Sequence, residues 1–297
     1  MTDVLANSGL VIVDKPAGMS SHDVVAKLRR AFHTRKVGHA GTLDPMATGV
    51  LVVGIERGTK FLAHLIAETK TYQATIRLGA STTTDDAEGE TLQVTAAGHL
   101  ADEDIDAEIT KLTGEIMQKP SSVSAIKING KRAHELVRAG ETVDIPARPV
   151  TVHRFDVLAR RRTPEFIDLD VEVFCSSGTY IRSLARDLGA SLGVGGHLTA
   201  LRRTTVGPFT LEHARTLEEL NTNPTFSLTL DQALAASFPT LNVNDEDAAA
   251  LAMGKWLEPR GLKGVHAAVT ADGTAVALVK EKGKRLATVF VARPSTL

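Results

Sequence analysis

The sequence of 297 residues contains a single cysteine, Cys175. One cysteine excludes both an intramolecular disulfide and a cysteine-based zinc cluster. No apolar run approaches the roughly 18 residues that span a bilayer. The first residues also lack a basic region followed by an apolar one. We therefore expect a cytoplasmic protein without a signal peptide or membrane contact.

Several common functional motifs are missing as well. Residues 54–60 read GIERGTK, one residue too few for a phosphate-binding loop, and GVGGH at 193–197 lacks the dinucleotide spacing. The sequence has neither HExxH nor GxSxG. Its ten histidines are scattered. We expect no metal site, and chemistry that depends on nucleotides or on a serine nucleophile is disfavoured.

Charge is balanced in total but unevenly distributed. Lys and Arg number 34, Asp and Glu number 35, and the net charge of −1 argues against a uniformly basic nucleic-acid binder. Basic residues cluster at 27–36, 160–162 and 202–203, whereas acids cluster at 85–90 and 102–108. Such separation allows a positive face for phosphate. Taken one at a time, each cluster is more typical of an ordinary solvated surface.

Strand and helix patterns alternate over residues 1–230. Alternating apolar residues predict strands at 72–78 and 167–175, and a continuous apolar run predicts a buried strand at 50–55. A helix is predicted from Ser20 or Ser21 to about Phe32, and another is predicted to close at Gly189. The mixture indicates an α+β domain with a mixed, largely antiparallel sheet.

Residues 231–297 have a different, β-rich pattern. A capped helix is predicted at 245–256. Asp272-Gly273 and Lys282-Gly283 are hairpin signals between three short strands, predicted at 265–269, 275–279 and 286–291. We therefore predict two domains, 1–230 and 231–297.

One segment concentrates residues that could carry chemistry. Residues 38–51 read GHAGTLDPMATGVL and stand directly before a predicted buried strand. Pro45 favours an extended backbone at Asp44, which orients the carboxylate, and the glycines permit close approach of a ligand. The same residue types also form ordinary turns.

This segment closely resembles the catalytic motif of the TruB family of tRNA pseudouridine synthases. Further matches follow in order over residues 9–210: LVIVDKPAGMSSHDVV, KTYQATIRLG, PSSVSAIKINGKRAHELVRAGE, FCSSGTYIRSLARDLG and GGHLTALRRTTVGPF. The resemblance implies the pseudouridine synthase fold for residues 1–230. Residues 231–297 are similar to the small PUA-type RNA-binding modules that often end this family.

The resemblance also implies an activity, the isomerisation of uridine 55 to pseudouridine in the T loop of tRNA. No cofactor is implied. Asp44 would be the nucleophile, Arg182 its charge partner, and Tyr72 a base-stacking residue that could help move the C5 proton. Tyr180 and Leu201 would line the uridine pocket, His39 would help extrude the nucleotide, and Lys15 would lie near the site. Asp44 could attack C6 or C1′, or promote elimination and re-addition.

Structural roles remain open for most of these residues. Tyr72 also fits a core tyrosine, His39 a structural histidine, Lys15 a structural or phosphate-contacting lysine, and Arg182 a surface helix arginine like Arg186. Arg29, Arg30, Lys127, Lys131 and Arg132 are candidate contacts of tRNA phosphates.

Two other functions compete with tRNA isomerisation. One is an RNA chaperone with an inactive site, which the presence of Asp44, Tyr72 and Arg182 disfavours. The other is a synthase that uses guide RNA and partner proteins, as related eukaryotic and archaeal enzymes do. The compact length favours a standalone enzyme with neither a guide RNA nor an obligatory protein partner.

Overall fold

The elements follow one another in the order that the sequence patterns predict. The computed structural model describes residues 4–65, 68–121 and 145–296, with the backbone of 127–128 and 131–132. The strands are β1 Gly9–Lys15, β2 Val37–Ala40, β3 Thr48–Ile55, β4 Lys70–Leu78, β5 Ala80–Thr82, β6 Thr91–Val94, β7 Gly114–Gln118, β8 Lys127–Ile128, β9 Lys131–Arg132, β10 Arg148–Arg162, β11 Ile167–Cys175, β12 Gly196–Val206, β13 Phe209–Thr210, β14 Leu228–Thr229, β15 Thr240–Asn242, β16 Val265–Val269, β17 Ala275–Lys282 and β18 Arg285–Val291.

In the described part of the chain, the helices are fewer than the strands. They are α1 Ser21–Ala31, α2 Leu62–Leu65, α3 Asp102–Lys111, α4 Ile181–Ser191, α5 Leu217–Thr222, α6 Leu230–Ser237 and α7 Asp245–Ala252, with 3₁₀ turns at Glu56–Phe61 and Leu211–His213. No helix in the described part of the chain is long and apolar enough to cross a membrane.

The chain divides into two compact units, which are not the two predicted domains. One unit joins Met1–Ala67 to Thr205–Leu297, and the other is Glu68–Thr204. The division at residue 230 stays a prediction.

The unit of Met1–Ala67 and Thr205–Leu297 contains two groups of strands. In the first, β1 pairs antiparallel with both β3 and β14, and β2 pairs antiparallel with β3. Every residue of β1 except Asp14 is buried, because both faces of this strand are covered. The second group is a four-stranded sheet in the order β15-β16-β17-β18, in which only the β15–β16 pair is parallel.

One hydrophobic core joins the two groups of strands. Its members include Leu10, Ile12, Val50 and Val52 from the first group and Ala267, Val269, Ala275 and Leu278 from the second. Polar contacts add to it: Arg57 Nε donates to the Ala292 carbonyl at 2.7 Å, and Asp231 accepts from Ala275 N at 2.8 Å. Residues 231–297 are therefore built into this unit.

Helix α1 begins where the capping signals predict. Ser20 is the N-cap, and its hydroxyl accepts from Asp23 N at 3.2 Å while the Asp23 carboxylate accepts from Ser20 N at 2.8 Å. This capping box satisfies backbone donors that the first turn would otherwise leave free. The exposed Arg29 and Arg30 lie in the last turn, where the helix dipole favours positive charge.

The unit of Glu68–Thr204 is an antiparallel sheet flanked by helices. Its strand order is β12-β4-β11-β10-β7. Strands β4 and β11 are in register from Lys70 opposite Cys175 to Leu78 opposite Ile167. The alternate residues of both strands that the sequence pattern assigned to one face are buried. The two predicted strands are confirmed.

The predicted close of a helix at Gly189 is wrong, because α4 continues to Ser191. Position 189 requires a glycine because another segment passes close to it. A Cβ there would come within 2.1 Å of the backbone of Gly195 and Gly196. The turn after the helix instead uses Gly193 and Gly195, both with positive φ.

The predicted helix at 245–256 is also too long. Helix α7 begins at Asp245 after the N-cap Asn244 but ends at Ala252, because Gly254 adopts a φ of 75° that leaves the helical conformation. The three predicted strands of this region are confirmed, and the structure adds β15 beside them.

Candidate active site

Asp44 lies in the connection between β2 and β3, in a loop fixed on both sides of it. The buried Leu43 donates its N–H to Ser21 Oγ at 2.9 Å, and Ser21 Oγ donates to the Leu43 carbonyl at 3.2 Å. Ala47 is fully buried and donates its N–H to the Asp44 carbonyl at 3.0 Å. Asp44 itself is half-buried. Its two flanks therefore hold the carboxylate at the surface of the unit.

Lys15 supports the same loop from beneath. Its side chain is fully buried, and Nζ donates to the carbonyls of Pro16 at 2.8 Å, Met19 at 2.7 Å and Pro45 at 3.3 Å. An ammonium group has three hydrogens, so these acceptors match its donors in number. The contacts give Lys15 a structural role beside Asp44. Contact with substrate stays a prediction.

His39 lies on β2, at a cleft of about 550 Å³ within the same unit. Its ring meets that of His22 edge to face, with centroids 5.4 Å apart. Basic side chains line the same cleft, among them Arg35, Lys36 and Lys60. Contact between His39 and an RNA nucleotide stays a prediction.

Tyr72 and Leu201 are two predicted pocket residues of the unit Glu68–Thr204. Tyr72 is on β4 opposite Val173 and is 8% exposed, and Leu201 on β12 is 7% exposed. Both lie at the margin of the core, where the ring of Tyr72 can pack with one face and offer the other to a ligand. Their burial fits both the structural and the substrate-binding interpretation.

Tyr180, the third predicted pocket residue, is the N-cap of α4, and the side chain of Gln118 holds its backbone. Tyr180 N donates to Gln118 Oε1 at 2.8 Å, and Gln118 Nε2 donates to the Tyr180 carbonyl at 3.1 Å. Gln118 is buried at the end of β7. No local sequence pattern indicates this role of Gln118, because Gln118 and Tyr180 are 62 residues apart.

Arg182 is buried in the first turn of α4, with 5% exposure. Its Nη1 donates to the Thr84 carbonyl at 3.0 Å and lies 3.5 Å from Asp86 Oδ2. The surface-arginine interpretation is therefore wrong, because the guanidinium is enclosed with a carboxylate and a carbonyl. The pairing of Arg182 with Asp44 stays a prediction.

Asp86 is a second site residue for which the sequence predicted no role. It is buried, accepts from Glu88 N at 3.0 Å and also accepts from the hydroxyl of Thr84. These donors orient its carboxylate toward Arg182. A threonine two residues before an aspartate is a local sign of such a turn.

Arg186, one turn after Arg182, has a different environment. It is partly exposed, and it donates to the Lys119 carbonyl at 2.7 Å and lies 3.4 Å from Asp85 Oδ2. Burial raises the pKa of the Asp85 carboxyl, while Ser121 and the two arginines oppose the rise. Asp85 also adopts a φ of 61°, which is uncommon outside glycine.

Lys70 lies two residues before Tyr72, on the same face of β4. Its side chain is buried, and Nζ donates to the Glu68 carbonyl at 2.8 Å. Burial, with a smaller contribution from the positive charge of Arg203, lowers the pKa of Lys70 from 10.5 to about 8. Lys70 and Arg203, both buried, bring two basic groups close together in this part of the unit.

The three consecutive arginines on β10 are already paired within the protein. Arg160 lies 3.0 Å from Asp102 and also pairs with Asp106, Arg161 pairs with Asp170, and Arg162 pairs with Asp102. The surface interpretation of this cluster is supported. The side chains of Lys127, Lys131 and Arg132 lie outside the described residues.

No group of three or more His, Cys, Asp or Glu side chains that could hold a metal ion occurs among the described residues.

Family models match three consecutive parts of the chain. Residues 29–181 match the N-terminal domain of TruB family pseudouridylate synthases. Residues 182–236 match the C-terminal domain of tRNA pseudouridylate synthase B, and residues 238–293 match the C-terminal part of tRNA pseudouridine synthase II. The chain belongs to the TruB family.

Relatives match this chain over its whole length. A protein of Corynebacterium efficiens named tRNA pseudouridine synthase B is 74% identical over 297 residues and covers 100% of both chains. One of the same name from Mycobacteroides abscessus is 59% identical, again over 100% of both chains. The predicted family is confirmed.

Solved structures of the TruB fold agree with the described architecture. A chain of a Cbf5–Nop10–Gar1 complex has a TM-score of 0.76 and 27% identity, over 99% of this chain and 88% of that one. A chain of an H/ACA RNP bound to substrate RNA has a TM-score of 0.73 and 27% identity, over 97% and 86%. The predicted mixed α and β fold with a small C-terminal β-sheet module is confirmed.

Proposed function

We propose that this TruB family chain isomerises uridine 55 to pseudouridine in the T loop of tRNA, with Asp44 as the nucleophile. The observation that carries the proposal is the loop at Asp44. Leu43 and Ala47 are buried and hydrogen-bonded on either side of a half-buried carboxylate. Such a loop holds one acid in place while leaving it accessible to a substrate.

The reaction exchanges bonds within one nucleotide. The bond from C1′ to N1 breaks, the base turns, and a bond from C1′ to C5 forms. C5 loses its proton and N1 gains one, so reactant and product have the same atoms and no oxidant or cosubstrate is consumed. A carboxylate can attack carbon and later leave, which is the nucleophilic role assigned to Asp44.

The base must leave its stack to reach Asp44. Extrusion costs a few kcal/mol, and side chains that stack on the flipped base offset part of that cost. Tyr72 supplies the aromatic face, and Tyr180 and Leu201 supply the walls of the pocket. His39 is assigned the place that the base vacates.

Arg182 contributes positive charge at the reacting centre. A guanidinium stays protonated and can bind a carboxylate through two parallel hydrogen bonds. Thr84 and Asp86 hold it within its own unit. The predicted pairing of Arg182 with Asp44 belongs to this proposal.

The proposed enzyme acts alone, in the cytoplasm, and without a guide RNA. The relatives named tRNA pseudouridine synthase B match this chain from end to end. An RNA chaperone without catalysis is the competing function, and the presence of Asp44, Tyr72 and Arg182 argues against it.

The test is release of tritium from tRNA labelled at C5 of uridine, followed by mapping of the modified position. The parent chain is expected to release tritium from position 55 of an unmodified tRNA with no other macromolecule added. Asp44→Asn keeps the volume but removes the charge, so it is expected to lose turnover and keep tRNA binding. Asp104→Asn, on the exposed side of α3, is the matched control and is expected to behave like the parent. Normal turnover by Asp44→Asn would exclude the assignment.

A further inference from the structure

The only tryptophan of the chain is held at the surface by an arginine. Trp256 is 47% exposed, and the guanidinium carbon of Arg285 lies 4.6 Å from the centroid of its ring. The residues that follow them in the chain, Leu257 and Leu286, are hydrogen-bonded to each other and hold this pair in place. Leu257 N donates to the Leu286 carbonyl at 3.0 Å, and Leu286 N donates to the Leu257 carbonyl at 2.8 Å.

The pairing of Leu257 with Leu286 places Trp256 and Arg285 on the outer face. Both leucines are buried in the core of the small β-sheet module, which consists of strands β15–β18 and helix α7. Because neighbouring residues of an extended segment point to opposite sides, Trp256 and Arg285 point outward. A large aromatic surface is thus left in water although a buried position lies one residue away.

The surroundings of Trp256 are strongly basic. The segments 253–264 and 280–285 contain two acids, Glu258 and Glu281, against seven basic residues: Lys255, Arg260, Lys263, Lys280, Lys282, Lys284 and Arg285. The Glu281 carboxylate accepts from the backbone N–H groups of Arg260 at 2.7 Å and Leu262 at 2.8 Å, so it is engaged by the loop.

Four of these basic residues are available to bind another molecule. Lys280, Lys282, Lys284 and Arg285 are exposed, and among the described residues no carboxylate forms an ion pair with them. Arg260 differs, because its Nη2 donates to Asp247 at 2.6 Å. Lys282 is paired with Arg285 across the β17–β18 hairpin, so the two side chains lie on the same face of the hairpin.

We propose that Trp256 and Arg285 bind an unpaired base of the RNA substrate, with Lys280, Lys282 and Lys284 on the neighbouring phosphates. The inference rests on the proposed function, which makes RNA the substrate. An exposed aromatic ring among cations is the arrangement that binds single-stranded nucleic acid, because bases stack on the ring while the charges follow the backbone. The excess of positive charge also opposes pairing of this face with a second copy of the chain.

The single tryptophan makes the site directly observable. The emission of the full chain is measured during titration with three RNAs: unmodified tRNA, an isolated T-arm stem-loop, and a single-stranded oligonucleotide. Quenching that saturates with at least one RNA is expected. Trp256→Ala is expected to raise the Kd for that RNA roughly 5- to 50-fold, and Trp256→Phe, which keeps an aromatic face, is expected to raise it less.

Arg285→Ala keeps the fluorophore and tests its partner. It is expected to weaken binding and to reduce the slope of log K against log salt by about one, because one fewer counterion is released. Arg260→Ala is the matched control in the same module, since Asp247 already neutralises Arg260. It is expected to change the Kd and the salt slope much less. Circular dichroism melts of each variant show that the module stays folded.

Activity separates this inference from the proposed function. When turnover is measured over a range of tRNA concentrations, Trp256→Ala is expected to keep kcat and raise KM. If the parent isomerises tRNA while its emission and the Kd of Trp256→Ala stay unchanged, the stacking site is excluded and the proposed function stands. Failure of the parent to isomerise any RNA excludes the proposed function, whereas quenching by the oligonucleotide still supports the site. A change of oligomeric state in Trp256→Ala, without a change in RNA affinity, would overturn the inference in favour of a protein interface.

Discussion

The guanidinium of Arg182 donates to the carbonyl of Thr84 at 3.0 Å and lies 3.5 Å from the carboxylate of Asp86. Both side chains of the ion pair are almost completely buried, with exposures of 6% and 3%. A buried charge is costly unless it is paired and hydrogen-bonded, so the geometry of all three groups is interdependent. Residues that are about 100 positions apart in the chain thus orient the arginine proposed for catalysis.

Arg182→Lys is expected to lower turnover roughly 10- to 100-fold, because an ammonium group cannot reproduce the planar fork of hydrogen bonds. Single-turnover tritium release at saturating tRNA measures the effect on the chemical step. Arg186→Lys is the matched control, because Arg186 is on the same helix but is partly exposed. Equal rates for the parent and Arg182→Lys would exclude a role for the guanidinium geometry.

Lys15→Met is expected to destabilise the protein by about 2–4 kcal/mol, because three backbone carbonyls lose a charged donor in a buried place. Urea unfolding measures the loss. Because one of those carbonyls belongs to Pro45, turnover at a temperature where the variant is folded should also fall. Lys27→Met, on the exposed side of α1, should leave both properties unchanged. Unaltered stability of Lys15→Met would contradict the structural role.

The pKa of Lys70 near 8 predicts a specific dependence of stability on pH. Below pH 8, the lysine is protonated in both the folded and the unfolded state. Between pH 8 and 10.5, the unfolded state binds more protons, so the free energy of unfolding should rise with pH by about 3 kcal/mol in total.

Cys175 acts in the opposite direction, because burial raises the pKa of its thiol to about 11. The Lys70 contribution is therefore taken as the difference between the parent and Lys70→Met, measured by urea unfolding at successive pH values. Lys27→Met should retain the parent profile. Identical profiles for the parent and Lys70→Met would show that Lys70 titrates normally.

Removal of residues 231–297 is expected to destabilise the remaining chain rather than only weaken RNA binding. Ala267, Val269 and Leu278 pack in the same core as Leu10 and Ile12. Truncation would expose that apolar surface to water, at a cost of about 25 cal/mol for each Å². Solubility, thermal melting and proteolysis of a chain that ends at Leu230 measure the effect. A soluble, cooperatively folded truncation would show that residues 1–230 form a domain by themselves.

Local patterns were sufficient for much of the secondary structure. The alternation at 72–78 and 167–175 predicts two strands whose side chains face the core as expected. The Ser20 and Asp23 pair marks the start of α1, because the capping box involves only residues three apart. The resemblance of residues 38–51 to the TruB catalytic motif indicated the family.

Helix ends were less predictable, because glycine serves two purposes. Gly254 ends α7 through its own φ of 75°, which is a local preference. Gly189 stays inside α4 because the backbone of residues 195 and 196 approaches it. A sequence pattern cannot distinguish a glycine that turns the chain from one that makes room for another segment.

The sequence by itself determined which residues could carry the chemistry, and the tertiary structure decided what each of them contacts. The arginines at 160–162 are basic in the sequence but neutralised by Asp102, Asp106 and Asp170 in the fold. Arg182 resembles Arg186 in a helical pattern, yet only Arg182 is enclosed with Thr84 and Asp86. Charge and burial depend on groups brought together from distant positions, whereas propensity and periodicity depend only on near neighbours.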